Sequence, residues 1–274
     1  MTALTWDAQG QRLYETGAKK GVLYVQTPNG TYGTGEAWNG LISVSENPSG
    51  AEETALYAND HKYAALRSAE IEEGGITAYT YPDSWALCDG TASLGGTNHP
   101  GVNIGQQARR GFGLTWRTAI GNDVMLDDYG YKIHIIYGAT ASPSEKEYSS
   151  INDSPEAIEF SWDYTCTPVD VQSGDFKPTA SLTIDSTKIA EAALKQIEDA
   201  LYGSETEDPH ILMPDQVYAI LNEEEYTYTE AEVTVGATVP PNTYYERSGS
   251  AGSYTYTLTE DETFQEGTTY YTRA

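Results

Sequence analysis

Residues 75–81 read Gly-Ile-Thr-Ala-Tyr-Thr-Tyr and run straight into Pro82-Asp83. Ile76, Ala78 and Thr80 fall on one side of an extended chain and Thr77, Tyr79 and Tyr81 on the other. That period of two predicts a β-strand. Proline has no N–H for a ladder, so the strand is expected to stop there. The same pattern recurs on both sides. Thr54-Ala-Leu-Tyr-Ala58 and Lys62-Tyr-Ala-Ala-Leu-Arg-Ser68 make the arms of a predicted hairpin around Asn59-Asp60. Gly21-Val-Leu-Tyr-Val-Gln26 ends at Thr27-Pro-Asn-Gly30, where Pro presets φ and Asn-Gly tolerates positive φ. A strand is expected over 36–45 around Trp38, Leu41, Ile42 and Val44, followed by a polar loop over 46–53. Further strands are expected at 111–120, 131–139, 157–168 and 177–184, with turns at 141–145 and 151–155. Residues 88–110, rich in Gly, Thr and Asn, read as one long connection. Connections of that length usually serve function or an interface.

One helix is expected, at about 186–202. Asp185 and Ser186 offer oxygens to its free first-turn N–H groups. Ile189, Ala193, Leu194, Ile197 and Leu201 mark one face at helical spacing, expected to pack on a sheet. Gly203 supplies a stop, and Glu191–Lys195 is a favourable i,i+4 pair. Ser204-Glu-Thr-Glu-Asp-Pro209 reads as a charged linker, and 211–221 as a short apolar tail docking back on the sheet. At 222 the composition changes. Residues 222–274 hold eight Tyr, twelve Thr and ten acids against Arg247 and Arg273 alone, a net charge of -8. Within them Pro241-Asn-Thr-Tyr-Tyr-Glu-Arg247 resembles Gly267-Thr-Thr-Tyr-Tyr-Thr-Arg273, and Tyr254-Thr-Tyr-Thr-Leu-Thr259 alternates at period two. The expected organisation is a β domain at 1–221 and a small β module of hairpins at 222–274, near the lower size limit for independent stability.

The chain has 41 Asp and Glu against 15 Lys and Arg, a formal charge of -26. Gripping DNA or RNA needs basic side chains against phosphates, so that class is excluded. Two Cys in 274 residues cannot make a disulfide scaffold; Cys88 and Cys166 are either free buried thiols or a single bridge. With 39% hydrophobic and 11% aromatic residues the chain can fill a core. No apolar run approaches the roughly 18 residues of a membrane span. The first residues lack a basic stretch followed by an apolar one, so synthesis in a cytoplasm without a Sec-type leader is expected.

Chemistry-bearing patterns are sparse. His61, His99, His134 and His210 do not fall at zinc spacing. There is no G-x-S-x-G and no P-loop, and Gly33-x-Gly35 precedes no helix. Asp123, Asp127 and Asp128 miss the oxygen spacing of a helix–loop–helix calcium site. His134, within Lys132-Ile-His-Ile-Ile-Tyr137, reads as a cross-strand surface or interface residue rather than a base. Neither an enzyme, a metal nor a cofactor is expected. Arg109-Arg110 is a basic pair beside a strand, facing either a neighbour's acids or solvent.

Taken in order, these segments resemble the major tail tube proteins of long, non-contractile-tailed phages and prophages of Gram-positive hosts, over roughly residues 10–222. The resemblance is carried by Lys20-Gly-Val-Leu-Tyr24, Glu36-Ala-Trp-Asn-Gly40, Glu46-Asn-Pro-Ser-Gly-Ala-Glu52, Leu56-Tyr-Ala-Asn-Asp60, Ala78-Tyr-Thr-Tyr-Pro82, Gly105-Gln-Gln107, Phe112-Gly-Leu-Thr-Trp-Arg-Thr118, Lys132-Ile-His-Ile-Ile-Tyr-Gly138 and Asn152-Asp-Ser-Pro-Glu-Ala-Ile158. The terminal Thr/Tyr-rich module resembles the small decorations at the ends of some such proteins. The family implies a β-sandwich with one flanking helix, six copies closing into a ring with a shared inner β-barrel, and rings stacking into a tube in the virion tail, assembled in the bacterial cytoplasm. It implies as partners other copies of the chain, a tape-measure protein, tail terminator and distal tail proteins, and phage DNA passing through the bore without specific binding. Under this reading Glu46, Asn47, Pro48, Glu52, Asn59, Asp60, Arg109 and Arg110 are the candidate contacts between subunits or rings. A reading from another class is a monomeric β-rich adhesin or carbohydrate-binding protein, with exposed Tyr and Trp as stacking platforms.

Overall fold

A computed structural model describes residues 4–96, 99–144, 146–148, 150, 157–222, 228–231, 233–235, 237–238, 244–250, 253–259, 263, 265 and 268–273. The chain divides into two compact units, Met1–Leu221 and Asn222–Ala274. The first is mainly β and contains β1 (Tyr14–Val25), β2 (Glu36–Ala37), β3 (Leu41–Glu46), β4 (Ser49–Gly50), β5 (Glu53–Ala58), β6 (His61–Arg67), β7 (Glu70–Ile71) and β8 (Glu73–Ala78). A 3-10 turn (Asp83–Trp85) and helix α1 (Ala86–Asp89) follow. Next come β9 (Ala92–Gly95), β10 (His99–Ile104), β11 (Phe112–Asn122), β12 (Leu126–Ala141), β13 (Phe160–Cys166) and β14 (Ser181–Asp185). Helices α2 (Glu191–Tyr202) and α3 (Pro214–Leu221) complete the unit.

The main sheet is antiparallel, ordered β2-β1-β11-β12-β13-β8-β3, with β14 also paired to β12. Its two edge strands, β2 and β3, are separated in sequence by Trp38, Asn39 and Gly40 alone. The sheet must therefore curl until its edges meet, and a Cβ added to Gly21 of β1 would lie 2.8 Å from Leu41 of β3. Of the expected mainly β fold, the structure shows this one large antiparallel sheet. Inside the fold Leu23, Phe112, Leu114, Ile76 and Trp162 pack around Trp85, with ring centroids of Trp85 at 4.9 Å from Phe112 and 5.2 Å from Trp162.

A bulge explains how β12 serves two partners. Residues 132–136 of β12 pair with β14, and residues 139–141 pair with β13. Between them Gly138 has φ 57, and a Cβ there would lie 2.3 Å from the Thr167 carbonyl oxygen, so only glycine fits.

The other face of the sheet carries the helices. Val22, Tyr24, Ile133, Ile135, Tyr137 and Ile184 meet Ile197 and Leu201 of α2, Val217 of α3 and the intervening Ile211 and Leu212. Two tyrosines pin this layer: Tyr24 donates to the Leu201 carbonyl at 2.5 Å and Tyr137 to the Leu212 carbonyl at 2.8 Å.

Several expectations need correction. The helix expected from 186 begins at Glu191, with Ala190 in the capping position and no side-chain cap. Asp185 instead accepts from the Thr187 amide, and Ser186 accepts from the Tyr131 amide, so neither oxygen is free to cap. Lys195 pairs with Asp199 at 2.7 Å, not with Glu191. The flanking helix is not single: 214–221 is helical, started by Pro214, whose missing N–H costs nothing in a first turn. The loop over 46–53 contains β4, and the connection over 88–110 contains a hairpin. The strand over 36–45 breaks at 38–40, and β8 ends at Ala78 rather than Tyr81. The expected turn at 151–155 lies outside the described residues, as do Glu145 and residues 241–243 and 267.

The second unit holds β15 (Tyr228–Glu230), β16 (Tyr244–Ser250), β17 (Ser253–Leu258) and β18 (Tyr270–Arg273), in a four-stranded antiparallel sheet ordered β15-β18-β16-β17.

Candidate assembly surface

The hairpin read around Asn59-Asp60 is the end of a much longer ribbon. From its root, Val44 pairs with Ile76 and Glu46 with Gly74. Ser49 pairs with Ile71 and Gly50 with Glu70. Glu53 pairs with Arg67, and the ladder runs on to Ala58 and His61. Asn47 donates its amide to the Glu73 carbonyl at 2.7 Å, and Glu52 donates its own to Ser68 Oγ at 3.0 Å, bridging the gaps between ladders. Asn59 and Asp60 both hold positive φ, at 50° and 60°, as a two-residue hairpin turn of the primed type requires. β13 pairs with β8 only as far as Glu73. The Cys166 amide still donates to the Glu72 carbonyl at 2.8 Å, and beyond that, among the described residues, the ribbon has two strands and no third. Asn59 lies thirteen residues past Glu46, a reach of about 40 Å in extended chain.

The two faces of this arm differ. Cross-strand pairs Thr54–Leu66, Leu56–Ala64 and Ala58–His61 share one face, whose middle, at Leu56, Ala64 and Leu66, is apolar. The other carries Glu53, Tyr57, Lys62, Tyr63 and Arg67, where Glu53 is ion-paired to both Lys62 and Arg67. Leu56 is 42% exposed and Leu66 59%, while Tyr57 and Tyr63 are each above 70%. Isolated two-stranded ribbons are marginal in water, and among the described residues of the first unit nothing buries the apolar side chains of this one.

At the root the arm is tied to the core. Tyr164 donates its hydroxyl to the Ser45 carbonyl at 3.1 Å, and Ser45 Oγ accepts the Gly75 amide at 3.0 Å. A Cβ on Gly74 would sit 1.9 Å from the Ser45 carbonyl oxygen, so the strands approach as only glycine permits. Partial burial raises the carboxyl pKa of Glu46. Glu72 is raised by burial first, then by the negative charges of Glu46 and Glu70.

A second hairpin, β9–β10, exposes Leu94, Val102 and Ile104. Arg109 fastens its base, donating to the Ala141 carbonyl at 3.0 Å and the Asp89 carbonyl at 2.9 Å. Nearby, Asp89 pairs with Lys146 at 2.7 Å and accepts from Trp162 Nε1 at 3.2 Å.

The structure thus strings Glu46, Asn47, Pro48 and Glu52 along the proximal arm and sets Asn59 and Asp60 at its tip. Arg109 and Arg110 stand apart from them, at the second hairpin; Arg109 is engaged within its own subunit, and Arg110 is exposed. Polar residues marked this surface in the sequence, but the apolar face made by Leu56, Ala64 and Leu66 was missed. Its signal was present as a period-two alternation on both arms of the hairpin.

Other groups offer little chemistry. Cys88 and Cys166 are free, buried thiols, each pushed up by burial to about 12, far from the thiolate form. His134 stacks on its cross-strand partner Trp116 at 5.1 Å, and burial lowers its pKa. Among the described residues no three His, Cys, Asp or Glu side chains are grouped to hold a metal, and no helix is long and apolar enough to cross a membrane. Trp38, Trp85, Trp116 and Trp162 are core residues, which leaves Trp6 alone among the tryptophans as a surface platform. No protein-family model matches the chain, and no curated protein matches it.

Proposed function

We propose that the protein is a structural subunit that polymerises through its arm, in the manner of a phage tail tube protein. Six copies close into a ring, sheet edges of neighbours complete an inner β-barrel, and rings stack into a hollow tube of the virion tail. The observation that carries this reading is the arm, a ribbon about 40 Å long whose apolar face is left exposed by the described residues of the first unit. A second copy supplies that cover, and a contact between two different patches of identical subunits generates rings or filaments rather than closed dimers. The order of sequence segments resembling that family supports the same reading.

The charge fits it as well. The first unit carries -18 of the total -26. A wall of that sign gives phosphates no counter-charge, so DNA can slide through without being held. Under this reading the tape-measure protein occupies the bore during assembly, and terminator and distal tail proteins cap the ends. The test is negative-stain electron microscopy of the purified chain at high concentration. Hollow tubes of stacked six-membered rings are expected. A protein that stays monomeric at every concentration, or that forms only two-fold dimers, sinks the reading.

A further inference from the structure

The second unit repeats itself more fully than its paired tyrosines indicate. Residues 226–247 open with Tyr-Thr-Tyr-Thr and close with Tyr-Tyr-Glu-Arg; residues 254–273 open with Tyr-Thr-Tyr-Thr and close with Tyr-Tyr-Thr-Arg. β15 takes up the first opening from Tyr228, β16 holds the first closing, and β17 and β18 hold the opening and closing of the second copy. In the sheet order β15-β18-β16-β17, the opening strand of each copy pairs with the closing strand of the other, and the two closing strands pair in the middle.

The register repeats the symmetry residue by residue. At the centre Tyr245 faces Tyr271, its own equivalent, flanked by Tyr244–Thr272 on one side and Glu246–Tyr270 on the other. Outside, Tyr228–Arg273 matches Arg247–Tyr256, Thr229–Thr272 matches Glu246–Thr257, and Glu230–Tyr271 matches Tyr245–Leu258. A slip of one residue in a ladder would break every match that ladder makes. The centre is packed across the same axis: buried Tyr270 contacts Tyr244, the equivalent tyrosine of the other copy.

We infer that the strands of 228–273 are two copies of one two-strand half-sheet, related by a two-fold axis between Tyr245 and Tyr271, and that each half is a docking surface whose partner is a second copy of itself. Within one copy the two strands do not pair with each other, so a lone half has no ladder of its own. In this chain the partner comes from the same molecule. A chain with one half must take it from another. This conclusion stands independently of the tube reading.

Disulfide trapping tests it. In the full chain, Tyr245→Cys with Tyr271→Cys places two thiols on facing residues, with Cα atoms about 5 Å apart, and an internal bridge is expected. In the chain ending at residue 250, the symmetry puts residue 245 opposite residue 245 of a second molecule. Tyr245→Cys alone should then give a reducible dimer on a non-reducing gel. Tyr228→Cys, whose partner is residue 247 rather than itself, should give none. Internal closure of the double variant without any dimer from the truncated Tyr245→Cys chain would overturn the inference. A second arm covers instability of the lone half: a full chain whose residues 254–273 are replaced by a second copy of 226–247. It should resist limited proteolysis within this unit as the parent does, and rapid cleavage there would also overturn it.

Discussion

One ribbon passes through two environments in this protein. At its root, β8 puts Ile76 and Ala78 into the core with Trp162 and Trp85, and Val44 of β3 packs against it. At its far end the same alternation puts Leu56, Ala64 and Leu66 on a face that the subunit leaves open. Local composition does not separate the two ends. What changes is the neighbour: β13 accompanies β8 as far as Glu73 and then stops. Alternation therefore tells which side chains share a face, and only what stacks on that face, as Trp85 does at the root, tells whether it is covered.

The widest test of this contrast is a pair of truncations. Trp162→Ala removes a fully buried ring that touches Trp38, Trp85, Phe160 and Tyr81, and should cost about 3–5 kcal/mol in urea unfolding of the unassembled subunit. Leu66→Ala in the same assay should stay within about 0.5 kcal/mol of the parent. Equal losses would mean that the arm is packed within the subunit, and the comparison would fail. Next in size is the root. Gly74→Ala forces a Cβ against the Ser45 carbonyl and, at 2.4 Å, the Tyr164 hydroxyl, and should cost about 1–3 kcal/mol. Gly101→Ala in β10 meets nothing within 4 Å and should be near neutral.

These residues also separate what the sequence alone carries from what only the folded chain decides. The ladder at the tip was legible because Asn59-Asp60 supports positive φ between two alternating segments. The face of α2 was legible from Ile197 and Leu201. The start of α2 was not, because Asp185 and Ser186 satisfy other amides, and caps are indistinguishable from turn residues until their partners are placed. The Gly138 bulge was hidden for a similar reason: one glycine in a strand does not say which backbone approaches it. Of the assembly surface, the polar residues of the proximal arm and tip stood out. The apolar face did not, since short apolar alternation looks the same in a core strand and in an open ribbon.

Smaller effects sharpen the picture of the arm itself. Asp60→Gly relieves an aspartate held at positive φ, against the extra chain entropy of glycine, and should stabilise the hairpin by about 0.5 kcal/mol, read as slower amide exchange at 53–67. The smallest effect expected is on pH dependence. Glu46 and Glu72 have folded pKa values raised above their unfolded ones. Their contribution to stability is thus fully present below the unfolded value, near 4.3 by model peptides, and is lost as pH rises through the raised folded value. Melting temperature should fall slightly over that range, and Glu72→Gln should flatten the fall. A steeper slope in the variant would contradict the crowding of carboxylates at the root.

The arm's role in assembly is tested most directly by one double variant of the full chain, Leu56→Asp with Leu66→Asp. The apolar face is exposed in the single subunit, so melting of the unassembled protein should be unchanged. Parent and variant are then concentrated side by side and followed by sedimentation velocity. The parent should pass into large, fast-sedimenting particles while the variant stays at the size of one subunit. A variant that assembles as the parent does would show that the open face of the arm is not what joins the subunits.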